Sequence, residues 1–267
     1  KASAPTLEKK HDKYFLRFTY AEEVSLNRTP VKEQTICSVD LGINTDAVCT
    51  IMRPDGTILG RKFINFPSDK DRMYRVLGRI RRFQREHGSR QVQGKWAYAK
   101  RLNTELGRKI AKEIVFYASE NKADVIVFEY LEMKGKLSGK KKQKLQMWRK
   151  RDIQKRCGQQ AHRKGIRISR ICAWNTSRLA FDGSGKIDRD IQDHRLCTFQ
   201  NGKRYNCDLS ASYNIGARYF IREILKPLPA TERSLLEAKV PAVKRRTSCV
   251  YADLRELISE MELRKAA

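Results

Sequence analysis

Acidic side chains are the scarce class in this chain: 30 Asp and Glu stand against 57 Lys and Arg over 267 residues, a formal charge of +27 at pH 7. Compact folding at that charge costs self-repulsion, which phosphate groups would relieve while also steering association. The chain also lacks an apolar run long enough to cross a bilayer, a signal peptide and a lipidation motif. Nucleic acid is therefore a better partner than an anionic membrane. Histidine is sparse, and His11, His87, His162 and His194 show no paired spacing. Cysteine is odd in number and scattered: Cys37, Cys49, Cys157, Cys172, Cys197, Cys207 and Cys249 read as reduced, buried thiols of an intracellular protein. None forms a Cys-x-x-Cys pair, and the spacings of Cys172, Cys197, Cys207 and His194 match no standard zinc knuckle, so zinc is not expected.

Against that basic background, three acids stand out by position. Asp40 ends the apolar approach of Ser38-Val39-Asp40-Leu41-Gly42, Glu129 ends Val125-Ile126-Val127-Phe128-Glu129, and Asp208 lies at the start of a helix in Asn206-Cys207-Asp208-Leu209. An apolar, β-branched run reads as a buried strand, so a carboxylate at its C-terminal end emerges at the rim of a sheet, where open α/β folds hold ligands. Carboxylates crowded there would repel and take up protons unless a hard cation such as Mg²⁺ or Mn²⁺ neutralised them. In two-metal phosphodiester chemistry one ion activates water and the other stabilises the leaving oxygen, the ions lying roughly 3.5 to 4 Å apart. Blander readings exist for each acid. Asp40 could end its strand in a turn, Glu132 competes with Glu129, and Asp208 could cap its helix, a use compatible with metal binding. Asp46, Asp55, Asp188, Asp190 and Asp193 read as turn or solvated residues.

The positive charge is clustered. Arg72, Arg75, Arg79, Arg81, Arg82, Arg85 and Arg90 fill one stretch; Lys134, Lys136, Lys140, Lys141, Lys142, Lys144, Arg149, Lys150, Arg151, Lys155 and Arg156 fill another. Two such runs flanking a carboxylate site favour binding to a nucleic-acid backbone, with Arg75, Arg79, Arg82, Lys140, Lys141, Lys142, Lys144, Arg149 and Arg151 as the candidate contacts. In the first run Met73, Val76, Leu77 and Ile80 recur at helical spacing and leave the arginines outward. A second helix is expected over Trp96–Asn121, with Ala99, Leu102, Leu106, Ile110, Ile114 and Tyr117 inward and Gly88-Ser89 breaking the two. Trp96, Tyr98 and Trp148 either pack or stack on bases. Strands are expected over Thr35–Asp40, Ala47–Arg53, Thr57–Asn65, Asp124–Phe128 and Arg167–Ala173, with a Pro54-Asp55-Gly56 turn. Further helices are expected over Arg149–Lys164 and Leu209–Ile224. Asn201-Gly202 suggests a hairpin joining Arg195–Gln200 to Lys203–Cys207. Tyr14–Tyr20 reads as a lone alternating strand without an evident partner, and Val250, Leu254, Leu257, Ile258 and Met261 as an amphipathic terminal helix.

At Asp40-Leu41-Gly42, at Glu129 after its strand, and at Asp208-x-x-Ala211-x-x-Asn214-Ile215, the chain resembles the split RuvC nuclease domain of TnpB proteins and type V CRISPR effectors. The likeness runs from about Thr35 to Ile224 and takes in the basic insert, Lys164-Gly165-Ile166-Arg167-Ile168 and Thr176-Ser177. It departs between Trp174 and Asn206, where the family usually carries a zinc ribbon with two Cys-x-x-Cys pairs. The resemblance and the β-β-β-α-β-α-β order imply an α/β, RNase H-like (RuvC) mixed sheet flanked by helices, with a degenerate zinc-ribbon-like insertion. The expected organisation is residues 1–34 as the end of a preceding β domain and linker, 35–173 as the first RuvC part with the basic insert, 174–206 as the altered ribbon, 207–225 as the last RuvC part, and 226–267 as a tail. The chain reads as the C-terminal portion of a larger protein whose N-terminal half would hold guide RNA. The implied function is a metal-dependent DNA endonuclease of an RNA-guided system, with Asp40, Glu129 and Asp208 holding two Mg²⁺ or Mn²⁺ ions. DNA and guide RNA would be its partners, in a prokaryotic cytoplasm and on the nucleoid when bound to target. Two alternatives use the same features: an RNA-guided DNA-binding protein with weak or no cleavage, and an RNase H-like transposase or resolvase that needs no guide.

Overall fold

The computed structural model describes residues 3–10, 12–88, 92–130, 150–245 and 247–266. The candidate contacts Lys140, Lys141, Lys142, Lys144 and Arg149, together with Glu132 and Trp148, lie outside them. A five-stranded mixed sheet is built from β3 (Ile36–Asp40), β4 (Ala47–Met52), β5 (Ile58–Ile64), β6 (Val125–Tyr130) and β7 (Arg167–Cys172), in the order β5-β4-β3-β6-β7. The first three strands form an antiparallel meander; β6 and β7 add parallel to β3 through helical crossovers. The central strands β3 and β4 are buried along their whole length, as an apolar run covered on both faces requires, whereas β5 alternates as a half-exposed edge.

Each face of the sheet carries its own core. On one side Cys37, Val39, Cys49, Ile126 and Phe128 pack against α2 (Gln93–Glu120) and α3 (Lys150–His162); on the other Ile36, Val48, Val125 and Val127 pack against α4 (Cys207–Leu225), α5 (Ala230–Lys239) and α6 (Tyr251–Ala266). The terminal amphipathic segment is thus a packing helix, with Leu254 and Leu257 fully buried. α4 lies close on the sheet: Thr50 Oγ1 and Ser212 Oγ are 2.6 Å apart, and a Cβ at Gly216 would meet the end of Met52 at 2.9 Å. α1 (Pro67–His87) pairs with α2 through Met73, Ile80 and Ala99, with Trp96 packed against them, so Trp96 serves packing. Tyr98 accepts from Arg72 Nη2 at 2.6 Å.

Two expectations are corrected at the ends of the chain's first half. Tyr14–Tyr20 does have a partner: Thr6–Lys10 (β1) and Lys13–Arg17 (β2) form an antiparallel hairpin with Leu7 opposite Leu16 and Lys9 opposite Tyr14. The lysine-rich first strand concealed its alternation. Asp46 is not solvated but buried at 6% exposure, accepting from the Phe66 N–H at 2.8 Å and pairing with Lys70 at 3.0 Å, which fixes the entry to α1. The remaining strands make a small lobe, β8 (Asp188–Arg189), β9 (Leu196–Thr198) and β10 (Arg204–Asn206), in the order β10-β9-β8. Its β9-β10 hairpin turns at Asn201-Gly202, with Gly202 at φ 82°, a conformation glycine accepts without strain. The lobe's core is Ala180, Cys197, Phe199 and Cys207, backed by Phe181, Ile187 and Tyr205.

Candidate active site

The sheet brings Asp40 and Glu129 together by register. Val39 pairs with Phe128 in the parallel β3–β6 ladder, so the next residues, Asp40 and Glu129, stand side by side about 4.8 Å of strand spacing apart. Both belong to the face covered by α4, the face of Val125 and Val127. Asp208 comes to the same rim from the first turn of α4. It is not the cap: Asn206 is, accepting from the Leu209 N–H at 2.9 Å. The cap leaves the Asp208 carboxylate to accept from the Thr45 hydroxyl in the loop after β3, with the positive end of the helix dipole behind it.

Burial drives the electrostatics. Asp40 is 7% exposed, and its carboxyl is held well above the usual carboxylate range by burial first, then by the charges of Glu129 and Asp208; Lys150 and Arg189 oppose the shift. Glu129, 8% exposed, is raised by burial against the pull of a Thr176 hydrogen bond, Lys150 and Arg218. Asp208 is raised by burial against Arg189, Thr45, Lys150 and Arg195. Among the described residues, the Lys150 ammonium, half-buried at the start of α3, acts on all three acids; burial pushes its own pKa down.

Sequence reading missed the residues that hold the acids in place. Thr176 donates to Glu129 Oε1 and also reaches the Ala173 carbonyl at 3.1 Å. Asn214 donates to the carbonyls of Thr176 and Leu179 at 3.0 and 2.9 Å and accepts from the Tyr251 N–H at 3.0 Å, so it binds the Thr176 turn to α4 and α6. Gln154 donates to the Glu129 carbonyl at 3.0 Å. Asn214 and Thr176 carried a signal, their places in the motifs quoted above, and Lys150 lay in the second basic run; Gln154 and Arg189 carried none. Gly42 sits where a Cβ would lie 2.4 Å from the Thr45 carbonyl oxygen. Gly42→Ala is therefore expected to displace the loop that presents Thr45 to Asp208, lowering any cleavage rate more than its stability cost of about 1 to 3 kcal/mol explains. Rates and urea melts on the same preparation check this.

Three carboxylates offer hard oxygen donors, a chemistry that suits Mg²⁺ or Mn²⁺. Among the described residues, however, no three His, Cys, Asp or Glu side chains are gathered as a set that could hold a metal ion. Glu129 is drawn to Thr176 and the Lys150 charge acts among the acids, so the donors fit the ion in kind but are not presented as a closed cage.

The other candidates are dispersed. Arg75, Arg79 and Arg82 are exposed along α1, and Arg151 is exposed on α3. Asp190 and Asp193 lie in the turns of the small lobe, as expected, where Asp193 is held down to about 2 by the Arg195 hydrogen bonds. Cys172 is exposed, unlike the other six cysteines, and His194 is exposed beside the Asp190 carbonyl. Cys197 and Cys207 are neighbours in the lobe's apolar core, and burial pushes the Cys207 thiol up to about 12. Among the described residues no helix is long and apolar enough to cross a membrane.

No family model matches the chain, and no curated protein matches it. Among solved structures it is similar to a chain of the cryo-EM Cas12f1–sgRNA–target DNA complex, at a TM-score of 0.54 and 18% identity over 78% of this chain and 54% of that one. It is also similar to chains of a CRISPR–Cas12f ternary complex (TM-score 0.49, 16% identity, 79% and 44% covered) and of a Cas12i–crRNA–dsDNA complex in its I1 state (0.48, 10%, 98% and 42%). The likeness is one of fold, it rests on the first of these, and the chain spans about half that structure's length. The mixed sheet and its flanking helices thus give the chain a fold shared with a type V CRISPR effector, the group its three acidic motifs resemble.

Proposed function

We propose that this chain is the RuvC-type nuclease part of an RNA-guided effector, cutting DNA in single-stranded or guide-displaced form with two divalent ions held by Asp40, Glu129 and Asp208. The observation that carries the reading is the meeting of these acids from three distant segments at one sheet rim, where Glu129 and Asp208 both push the Asp40 carboxyl up. Buried like charges are costly without a compensating cation, and their persistence at a rim is a functional signature. The ions, when bound, would supply an activated water and stabilise the leaving oxygen. The chain's own part is to hold the carboxylates: Thr176 and Gln154 fix Glu129, Thr45 and Asn206 fix Asp208, and the β3–β6 register fixes Asp40. That the similar Cas12f1 chain was solved with sgRNA and target DNA supports RNA and DNA as partners. The decisive experiment measures Mg²⁺-dependent cutting of single-stranded DNA, and of duplex with and without RNA copurifying with the protein. Equal cutting of junctions without RNA would favour a resolvase.

One observation favours a binding protein with weak or no cleavage: the ammonium of Lys150 stands among the acids and offsets part of their repulsion, and among the described residues they are not closed into a cage. In that case Mg²⁺ would neither promote cutting nor raise stability.

The exposed arginines of α1 are proposed to contact phosphates. Replacing Arg75, Arg79 and Arg82 with Gln is expected to flatten the slope of log affinity against log salt by about 2 for single strands; an unchanged slope would leave them a solvated face. The small lobe is proposed to hold without zinc, by its Phe199 and Cys207 core. Elemental analysis of protein purified without added metal is expected to find none, and zinc in stoichiometric amount, lost with Cys207→Ser, would reverse this.

A further inference from the structure

A cleft of about 680 Å³ opens at the edge of the sheet, between α3 and the edge strand β7, where Arg222 of α4 reaches it from the face that carries the acids. Its rim carries Tyr130, 55% exposed, and its walls carry Lys155, Gln159, Arg170 and Arg222, with no carboxylate among the lining residues. Arg222 is partly neutralised: it pairs with Glu223 at 2.8 Å and is pinned to the Arg170 carbonyl at 2.9 Å and to Ser169 Oγ at 2.7 Å. Lys155 and Arg170 are exposed and supply the positive charge. Gly158 forms part of the floor, where a side chain would narrow the cleft. The volume lies in the range that takes a small organic ligand, and an aromatic ring beside two cations matches a base beside its phosphate.

The cleft is tied to the candidate active site. Tyr130 follows Glu129 directly, and consecutive strand residues point to opposite faces about 3.3 Å apart along the chain. Gln154 accepts from Arg170 Nε at 3.1 Å and donates to the Glu129 carbonyl at 3.0 Å, so one side chain touches both.

We propose that this cleft binds a nucleotide of single-stranded DNA beside the phosphate engaged by the acids, its base on the Tyr130 ring and its phosphate on Lys155 and Arg170. The identity of the strand rests on the nuclease reading; the binding itself does not.

The test uses the full chain without divalent ion and a short oligothymidine bearing one 5-iododeoxyuridine. Irradiation should crosslink it to Tyr130, as mapped by mass spectrometry. Tyr130→Ala should weaken affinity about 5- to 100-fold, whereas Tyr130→Phe, which keeps the stacking face, should bind like the parent. Lys155→Gln should flatten the salt slope by about 0.7. Melting of each variant establishes folding, and if Tyr130→Ala unfolds, the crosslink in Tyr130→Phe and the Lys155→Gln slope decide. The proposal is overturned by unchanged affinity in Tyr130→Ala, by crosslinks confined to other residues, by no binding of the oligomer, or by a tenfold preference for the matching RNA. Adding Mg²⁺ separates the two readings. Tyr130 crosslinking without cutting would sink the nuclease alone, and cutting with undiminished affinity in Tyr130→Ala would sink the subsite alone.

Discussion

Asp40→Asn should abolish Mg²⁺-dependent cutting, leave single-strand affinity nearly intact, and yet make the protein more stable at neutral pH without the ion. The amide keeps the shape and removes the charge that Glu129 and Asp208 repel. The gain should be on the order of 1 kcal/mol, about 2 to 4 °C in melting midpoint. Its pH dependence has a definite sign. The folded Asp40 carboxyl titrates above its unfolded value near 3.9, so the folded state holds the proton more tightly than the unfolded one. Below that unfolded value the parent carries no penalty, and the Asn variant no advantage. As pH rises toward the raised folded pKa the parent loses stability, and the advantage of the variant grows until it is complete. Saturating Mg²⁺ should reverse the order, because only the parent gains by binding. Melts across pH with and without Mg²⁺ measure this, and an ion response equal in both proteins would remove Asp40 from the site.

Arg218→Met should be the most destabilising change on the back of the site, by about 3 kcal/mol in urea. The guanidinium is 3% exposed and donates to the carbonyls of Cys249 at 2.7 Å, Cys172 at 2.9 Å and Trp174 at 2.7 Å, while its buried Nη2 finds no partner among the described residues. It joins α4, the end of β7 and the approach to α6, and so fixes the turn from which Thr176 reaches Glu129. Methionine fills much of the volume but leaves one buried and two partly buried carbonyls without their donor. Arg218→Lys keeps the charge without the planar fork and should recover less than half of the loss. A Met variant within about 1 kcal/mol of the parent would show that these carbonyls find other donors.

The strands β3, β4 and β6 were legible because each is a short apolar run between turn residues, β5 and β7 because apolar and polar residues interleave along them, and α1 and α2 because Met73, Ile80, Ile110 and Ile114 recur at helical spacing. The hairpin at Asn201-Gly202 was legible because a positive φ selects few residues. The pairing of β1 with β2 was not, since both strands are exposed and charged and no core face imposes a pattern. Buried Asp46 was not, because its partners, the Phe66 N–H and Lys70, are local only in the fold.

Sequence by itself determined which acids stand at strand and helix ends, since a carboxylate closing an apolar run is a one-dimensional pattern. Only the tertiary structure decided that Asp40 and Glu129 share a register, that Asn206 caps α4 and releases Asp208, and that Lys150, Thr176, Gln154 and Asn214 converge on them. Apart from the local Asn206 cap, those contacts join residues tens to more than a hundred positions apart. Local propensity cannot encode such partners, because each is set by how the sheet registers and how closely α4 packs upon it.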